Sequence, residues 1–223
     1  MTALNFAVRE ERAFVACDTS VATPAGGGVG TTTTKVHALP HLRMLVAATG
    51  QHALLAKWIE YLVGESRLRG IEEIDALAPE FLAQLFANME SKLRGLADVA
   101  PPGSSIYHVG VRADDAITAY RYTSAAGFAS ERLAPGVYLH PGGLPAGVEL
   151  QPGVVVGDPV TATPTATSPP ISWRLQTQAC VSAMRLQYAQ QRVPIGGVIQ
   201  CAEIGPYGIH QYWLGELGQG PDA

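Results

Sequence analysis

The order of the apolar segments constrains this chain more than any single residue does. In Leu4 to Val8, Leu4, Phe6 and Val8 fall on one face and Asn5 on the other, the period of two that marks a half-buried strand. Ala13 to Cys17 is a second and more continuously apolar run. The charged turn Glu10-Glu11-Arg12 between them predicts a hairpin. After the stretch PAGGGVGTTTTKV, in which glycines favour a loop and threonines an extended chain into Lys35, RMLVAA (43–48) reads as another buried strand, closed by Thr49-Gly50. The period then changes to that of a helix. Leu54, Leu55, Trp58, Ile59 and Leu62 form one stripe over 51–63. A second helix is predicted over 79–96, with Pro79 suited to its first turn and Phe81, Leu82, Leu85, Phe86, Met89 and Leu93 on its apolar face. Pro101-Pro102-Gly103 ends that unit.

Strands return at 106–112, 116–122 and 136–140, the first two joined by Asp114-Asp115. A third helix is predicted over 171–191, and two last strands over 197–204 and 208–214 flank Gly205-Pro206-Tyr207. Strands grouped in this way pair antiparallel, and helices grouped in pairs need a sheet face to cover. The expected fold is therefore α+β, an αββα four-layer sandwich of two antiparallel sheets flanked by helices, with residues 1–223 as one domain. Segment 141–170, rich in Pro, Gly and Thr, is expected to be a loop or arm with at most a short strand at Val154–Val156.

Composition narrows the function. The chain has 223 residues, 47% of them hydrophobic and 15% charged, so it can bury a sizeable core and carries a thinly charged surface of the kind that oligomers hide. The net charge of -4 comes without a basic patch, so nucleic acid is not an expected partner. No apolar run is long enough to cross a membrane, and no signal peptide is expected, which points to the cytoplasm. The three cysteines, Cys17, Cys180 and Cys201, are far apart and form no CxxC; they read as idle thiols in a reducing compartment. The six histidines are scattered, so no metal site and no cofactor is expected. GGGVG lacks the lysine and the strand-to-helix context of a phosphate loop. Gly26–Gly30 and 141–170 remain candidate loops for a peptide-binding module.

Thr2 directly after Met1, Asp18-Thr19 at the end of the second strand, Lys35 after the glycine-rich loop, and Thr49-Gly50 before the first helix form an ordered set. The closing stretch VPIGGVIQCAEIGPYGIHQYWL adds a Gly-Gly strand, a turn and a final strand. In this order the chain resembles the proteasome β-subunit and HslV-type peptidases of the N-terminal-nucleophile hydrolase superfamily, over most of its length outside 141–170. The resemblance implies that Thr2 is the nucleophile, with its own α-amine as base. It implies that Lys35 lowers the hydroxyl pKa, that Asp18 holds Lys35, and that the backbone at Thr49-Gly50 faces the oxyanion. It further implies a self-compartmentalising threonine peptidase assembled as a homo-oligomeric ring, acting on a peptide substrate. The chain departs from the family's pattern where Gly-Ser-Gly is usual: it has His140-Pro141-Gly142-Gly143, with no hydroxyl. It also has Arg192 and Ile195 at the places of an Asp and a Ser. These departures suit an alternative, a catalytically inactive structural or assembly subunit such as a bacteriophage virion or tail component.

Overall fold

The computed structural model describes residues 2–20, 32–94, 103–140, 156–157, 172–189 and 195–217. Two sheets face each other. The first is built from β1 (Leu4–Val8), β2 (Ala13–Asp18), β8 (Gly136–His140), the two-residue β9 (Val156–Gly157), β10 (Val198–Gly205) and β11 (Gly208–Glu216). Its strand order is β11-β10-β2-β1-β8-β9, antiparallel except where β9 joins β8. The second sheet contains β3 (Val36–Leu39), β4 (Met44–Thr49), β5 (Ser105–Val111), β6 (Ile117–Thr123) and β7 (Glu131–Leu133), in that order and antiparallel throughout. Helices α1 (His52–Gly64) and α2 (Ile71–Arg94) cover the outer face of the second sheet. Helix α3 (Trp173–Ala189) covers the outer face of the first. The expected α+β four-layer sandwich is the observed architecture.

Strand β1 shows how the alternation builds the layers. Leu4, Phe6 and Val8 point between the sheets, where Phe6 packs on Tyr107 and Tyr138. Ala3 and Ala7 point the other way, and with Ala16 they give α3 a low surface to lie on. Asn5 is fully buried on that outer face. Its amide donates to the Cys180 carbonyl (3.0 Å) and the Gln187 side chain (3.3 Å), and its Oδ1 accepts the His140 N–H (3.1 Å), so one side chain ties α3 to the β1–β8 pair.

The first helix follows its stripe: Leu54, Leu55, Trp58 and Leu62 are buried against β4 and β5, each contributing roughly 1.5–3 kcal/mol of apolar burial. The second departs from expectation. It begins at Ile71, so Pro79 lies inside it rather than in its first turn. Ile71, Ile74, Ala78 and Leu82 are all fully buried, and this packing outweighs the interior proline, a cost of about 3 kcal/mol. The turn around Pro79 is also pinned, because the Asp75 carboxylate accepts the Tyr122 hydroxyl (2.7 Å) and the Ser130 hydroxyl. Strands β3 and β7 were not anticipated; at four and three residues they carry too little pattern. Leu96, Gly26–Gly30 and, apart from β9, segment 141–170 lie outside the described residues.

His108 is buried in the helix-covered layer, stacked with Trp58 and tilted against Tyr122. Trp58 Nε1–H donates to His108 Nε2 at 2.8 Å, which assigns the imidazole proton to Nδ1. A second proton on Nε2 would face the Trp58 donor, and burial pushes the His108 pKa down to about 3. The unfolded chain titrates near 6.5, so between pH 6.5 and about 3 the unfolded state holds more protons. Stability from this residue is complete above pH 6.5 and is expected to fall by on the order of 3–5 kcal/mol as the pH drops through that window. Urea unfolding at a series of pH values checks it: His108→Gln should flatten the slope, and an unchanged slope would remove His108 as its cause.

Candidate active site

Asp18 and Lys35 meet at one end of the first sheet, against the backbone of the residue that follows Thr2. The β1–β2 pairing continues past Leu4, where the Asp18 N–H donates to the Ala3 carbonyl (3.2 Å) and the Ala3 N–H donates to Asp18 Oδ1 (2.9 Å). Lys35 Nζ donates to both oxygens of the same carboxylate, at 3.1 Å each, and to the Ser20 carbonyl. The Lys35 ammonium and the Thr2–Ala3 peptide are thus held by a single carboxylate oxygen. The pair is almost dry: the Asp18 side chain is 0% exposed and that of Lys35 6%. Burial pushes the Asp18 carboxyl above its ordinary value, while the Lys35 ammonium and the Ala3 and Gly196 amides pull it back.

One residue that carries this pair has no signal in the sequence. Gln200, on β10, accepts the backbone N–H groups of Lys35 (3.0 Å) and Val36 (3.2 Å) and donates to the Val36 carbonyl (2.6 Å), which fixes where Lys35 leaves β3. The closing Gly196-Gly197 also serves the site. Gly196 N–H donates to Asp18 Oδ2 (3.4 Å) and its carbonyl accepts the Ser20 N–H (3.1 Å). Gly197 has φ 73°, and a Cβ there would collide with the Thr19 hydroxyl. That hydroxyl bridges the N–H (3.1 Å) and carbonyl (3.2 Å) of Val198. Ile195, beside them, is packed in the apolar layer under α3. Arg192 lies outside the described residues.

Thr2 opens into a cavity of about 530 Å³ walled by both sheets. Thr2 and His140 come from the first sheet. Thr49, Gly50, Gly103 and Ser104 form the rim on the second. Gly50, at φ 91°, comes so close to the Gly103 carbonyl that no Cβ fits between them. Ser104 Oγ accepts the Gln51 N–H, and Ser124 Oγ accepts the Ser104 N–H, at 3.0 Å each, so the rim is pinned by serines. Gln51 stands at the N-cap of α1. The far wall is a cross-strand row. Tyr107 pairs with Arg121, and Arg121 with Glu131. Arg121, 8% exposed, donates through Nε (2.9 Å) and an NH2 (2.5 Å) to one Glu131 oxygen. This row follows from register, and nothing in the sequence marks it.

Among solved structures, Anbu (ancestral beta-subunit) from Yersinia bercovieri matches with a TM-score of 0.64, covering 96% of this chain and 88% of that one at 10% identity. The fold is proteasome-like. No family model and no curated protein matches the chain. This corrects the sequence-level resemblance: membership of the proteasome β-subunit and HslV family does not stand. At 10% identity the likeness is one of fold alone. A layered backbone can persist with almost none of its side chains shared, and Thr, Asp, Lys and Gly are common residues at strand ends and turns.

Among the described residues no helix is long and apolar enough to cross a membrane, and no cluster of His, Cys, Asp and Glu could hold a metal ion. Cys17, Cys180 and Cys201 are free and buried, and burial pushes all three thiols up, away from nucleophilic use.

Proposed function

We propose that this protein is a threonine-dependent hydrolase of peptide amide bonds. The observation that carries this is the buried Asp18–Lys35 pair, joined through Asp18 Oδ1 to the residue after Thr2, while Thr2 itself lines a cavity large enough for a side chain and its backbone. A threonine hydroxyl is a weak nucleophile at neutral pH. The Lys35 ammonium would favour the alkoxide, and an α-amine with a pKa of about 7.7–8.0 can take its proton. Removal of Met1 supplies that amine on the same residue. Attack by Thr2 Oγ on the carbonyl carbon puts charge on the carbonyl oxygen, which the backbone N–H groups at Thr49-Gly50 would receive. The amine then gives its proton to the leaving nitrogen, and water hydrolyses the ester. The low surface charge and the half-exposed Trp213 and fully exposed Tyr207 fit a homo-oligomer, and three unoxidised thiols fit the cytoplasm.

A second reading keeps the fold and drops the chemistry: a structural or assembly subunit, for instance in a virion. It is favoured by Ile195, which packs into the apolar layer and presents no hydroxyl toward Asp18. Intact mass of the untagged protein, paired with turnover of a panel of peptide amides, separates the two. A mass lacking one methionine together with turnover is expected. A retained Met1 without turnover would leave the structural subunit as the account of the fold.

A further inference from the structure

We propose that the Arg121–Glu131 pair makes the cavity a binding site for a carboxamide group, the side chain of a glutamine or asparagine residue. The inference concerns binding and stands apart from turnover. Its extension to a substrate, a peptide that presents such a side chain, rests on the hydrolase reading above. Arg121 on β6 stands opposite Glu131 on β7, and Tyr107 on β5 completes the row. Two residues along on the same face come Val109, Ala119 and Leu133, all members of the apolar layer between the sheets. Stability does not account for an ion pair in that layer, because apolar side chains of similar volume hold a sheet at least as well. The bonding within the pair is also incomplete on both sides. A guanidinium and a carboxylate commonly meet as a fork, with one N–H on each oxygen. Here Arg121 Nε (2.9 Å) and Nη2 (2.5 Å) both donate to Glu131 Oε2. Among the described residues nothing donates to Glu131 Oε1, and nothing accepts from Arg121 Nη1.

The guanidinium thus spends two of its five N–H groups, although its side chain is only 9% exposed, against 45% for Glu131. Both residues line the cavity, so whatever satisfies the spare groups, water or ligand, enters through that space. Charge then selects the ligand. The pair is neutral as a whole. An ammonium at Oε1 would sit beside the Arg121 guanidinium, and a carboxylate at Nη1 would sit beside Glu131, so either ionic ligand meets a like charge. A carboxamide brings no charge. Its oxygen accepts from the guanidinium and its NH2 donates to Oε1, which uses both spare functions at once. A hydrocarbon side chain would dry both and pair neither. The volume of about 530 Å³ has room for such a side chain together with its backbone.

The test is equilibrium binding to the whole chain, followed by NMR, of five N-acetyl amino-acid N-methylamides: those of glutamine, asparagine, glutamate, lysine and leucine. At least one of the two carboxamide ligands is expected to bind on the order of 10-fold more tightly than the other three. The leucine compound carries the same backbone amides, so it separates side-chain recognition from backbone recognition. Glu131→Gln turns the spare acceptor into a donor and leaves Arg121 uncompensated, so the preference should move to the glutamate ligand. Arg121→Met combined with Glu131→Leu removes both charges together, leaves no lone charge buried, and should abolish the carboxamide preference. The site would be overturned by glutamate, lysine or leucine ligands that bind wild type as tightly as the carboxamides, or by no binding at all. A wild-type order of affinities in either variant would overturn it equally. The same spectra report cleavage of the ligands. Selective binding without cleavage would uphold the site and count against Thr2 as nucleophile, and cleavage without selectivity would do the reverse.

Discussion

Thr2→Ala is expected to reduce peptide-amide turnover by on the order of 10⁴-fold or more, with the fold unchanged. The substitution removes a hydroxyl and a methyl from a side chain that opens into a cavity, so no buried partner is left stranded. Unfolding free energy should stay within about 1 kcal/mol of wild type. Alanine is small as well, so removal of Met1 should not be affected, and the change in rate isolates the hydroxyl. Thr2→Ser, which keeps the oxygen, should retain turnover. Rates for wild type and the two variants on one peptide amide, beside their urea midpoints, make the check. Equal turnover by Thr2→Ala would end the assignment of Thr2.

Lys35→Met has the largest expected effect on stability. It leaves the Asp18 carboxylate buried with only the Ala3 and Gly196 amides for company, a loss of about 3–5 kcal/mol. The pH dependence has a definite sign. Without the ammonium the folded-state Asp18 pKa climbs further above its unfolded value, so the folded state holds the extra proton. The variant's deficit should therefore be smallest at low pH and grow as the pH rises through the Asp18 range towards neutrality. Urea unfolding at pH 5 and pH 7.5 measures it. Adding Asp18→Asn should recover part of the loss at neutral pH, because the lone charge is gone. A deficit that does not depend on pH would mean that the packing of the lysine stem matters and its charge does not.

What the sequence disclosed was local. The alternation in Leu4–Val8 and the stripe from Leu54 to Leu62 reflect faces that are buried in these elements, so strand and helix followed from period alone. Pro79 misled because the rule for a helix start is a local preference, whereas Ile71 packs on Gly110 of β5 and Ile74 joins the apolar layer under the helices, partners that lie elsewhere in the chain. The site divides in the same way. Thr2, Asp18, Lys35 and Gly50 were legible as types at strand ends and turns; the structure pairs Asp18 with Lys35 and sets Thr2 and Gly50 on one cavity. Gln200, Ser104, Arg121 and Glu131 were not, because each acquires its place through register between strands.

The Asp18 carboxylate draws one backbone bond from residue 3 and another from residue 196. On a ribosome residue 196 emerges long after residue 3. A nascent chain long enough to include Thr2, Asp18 and Lys35 holds the whole trio and still lacks the clamp that dries and orients it. Closing so long a loop is slow, and the strand that closes it, β10, also brings Gln200 to Lys35. The Asp18–Lys35 pair is thereby completed only when the last sheet strands have docked.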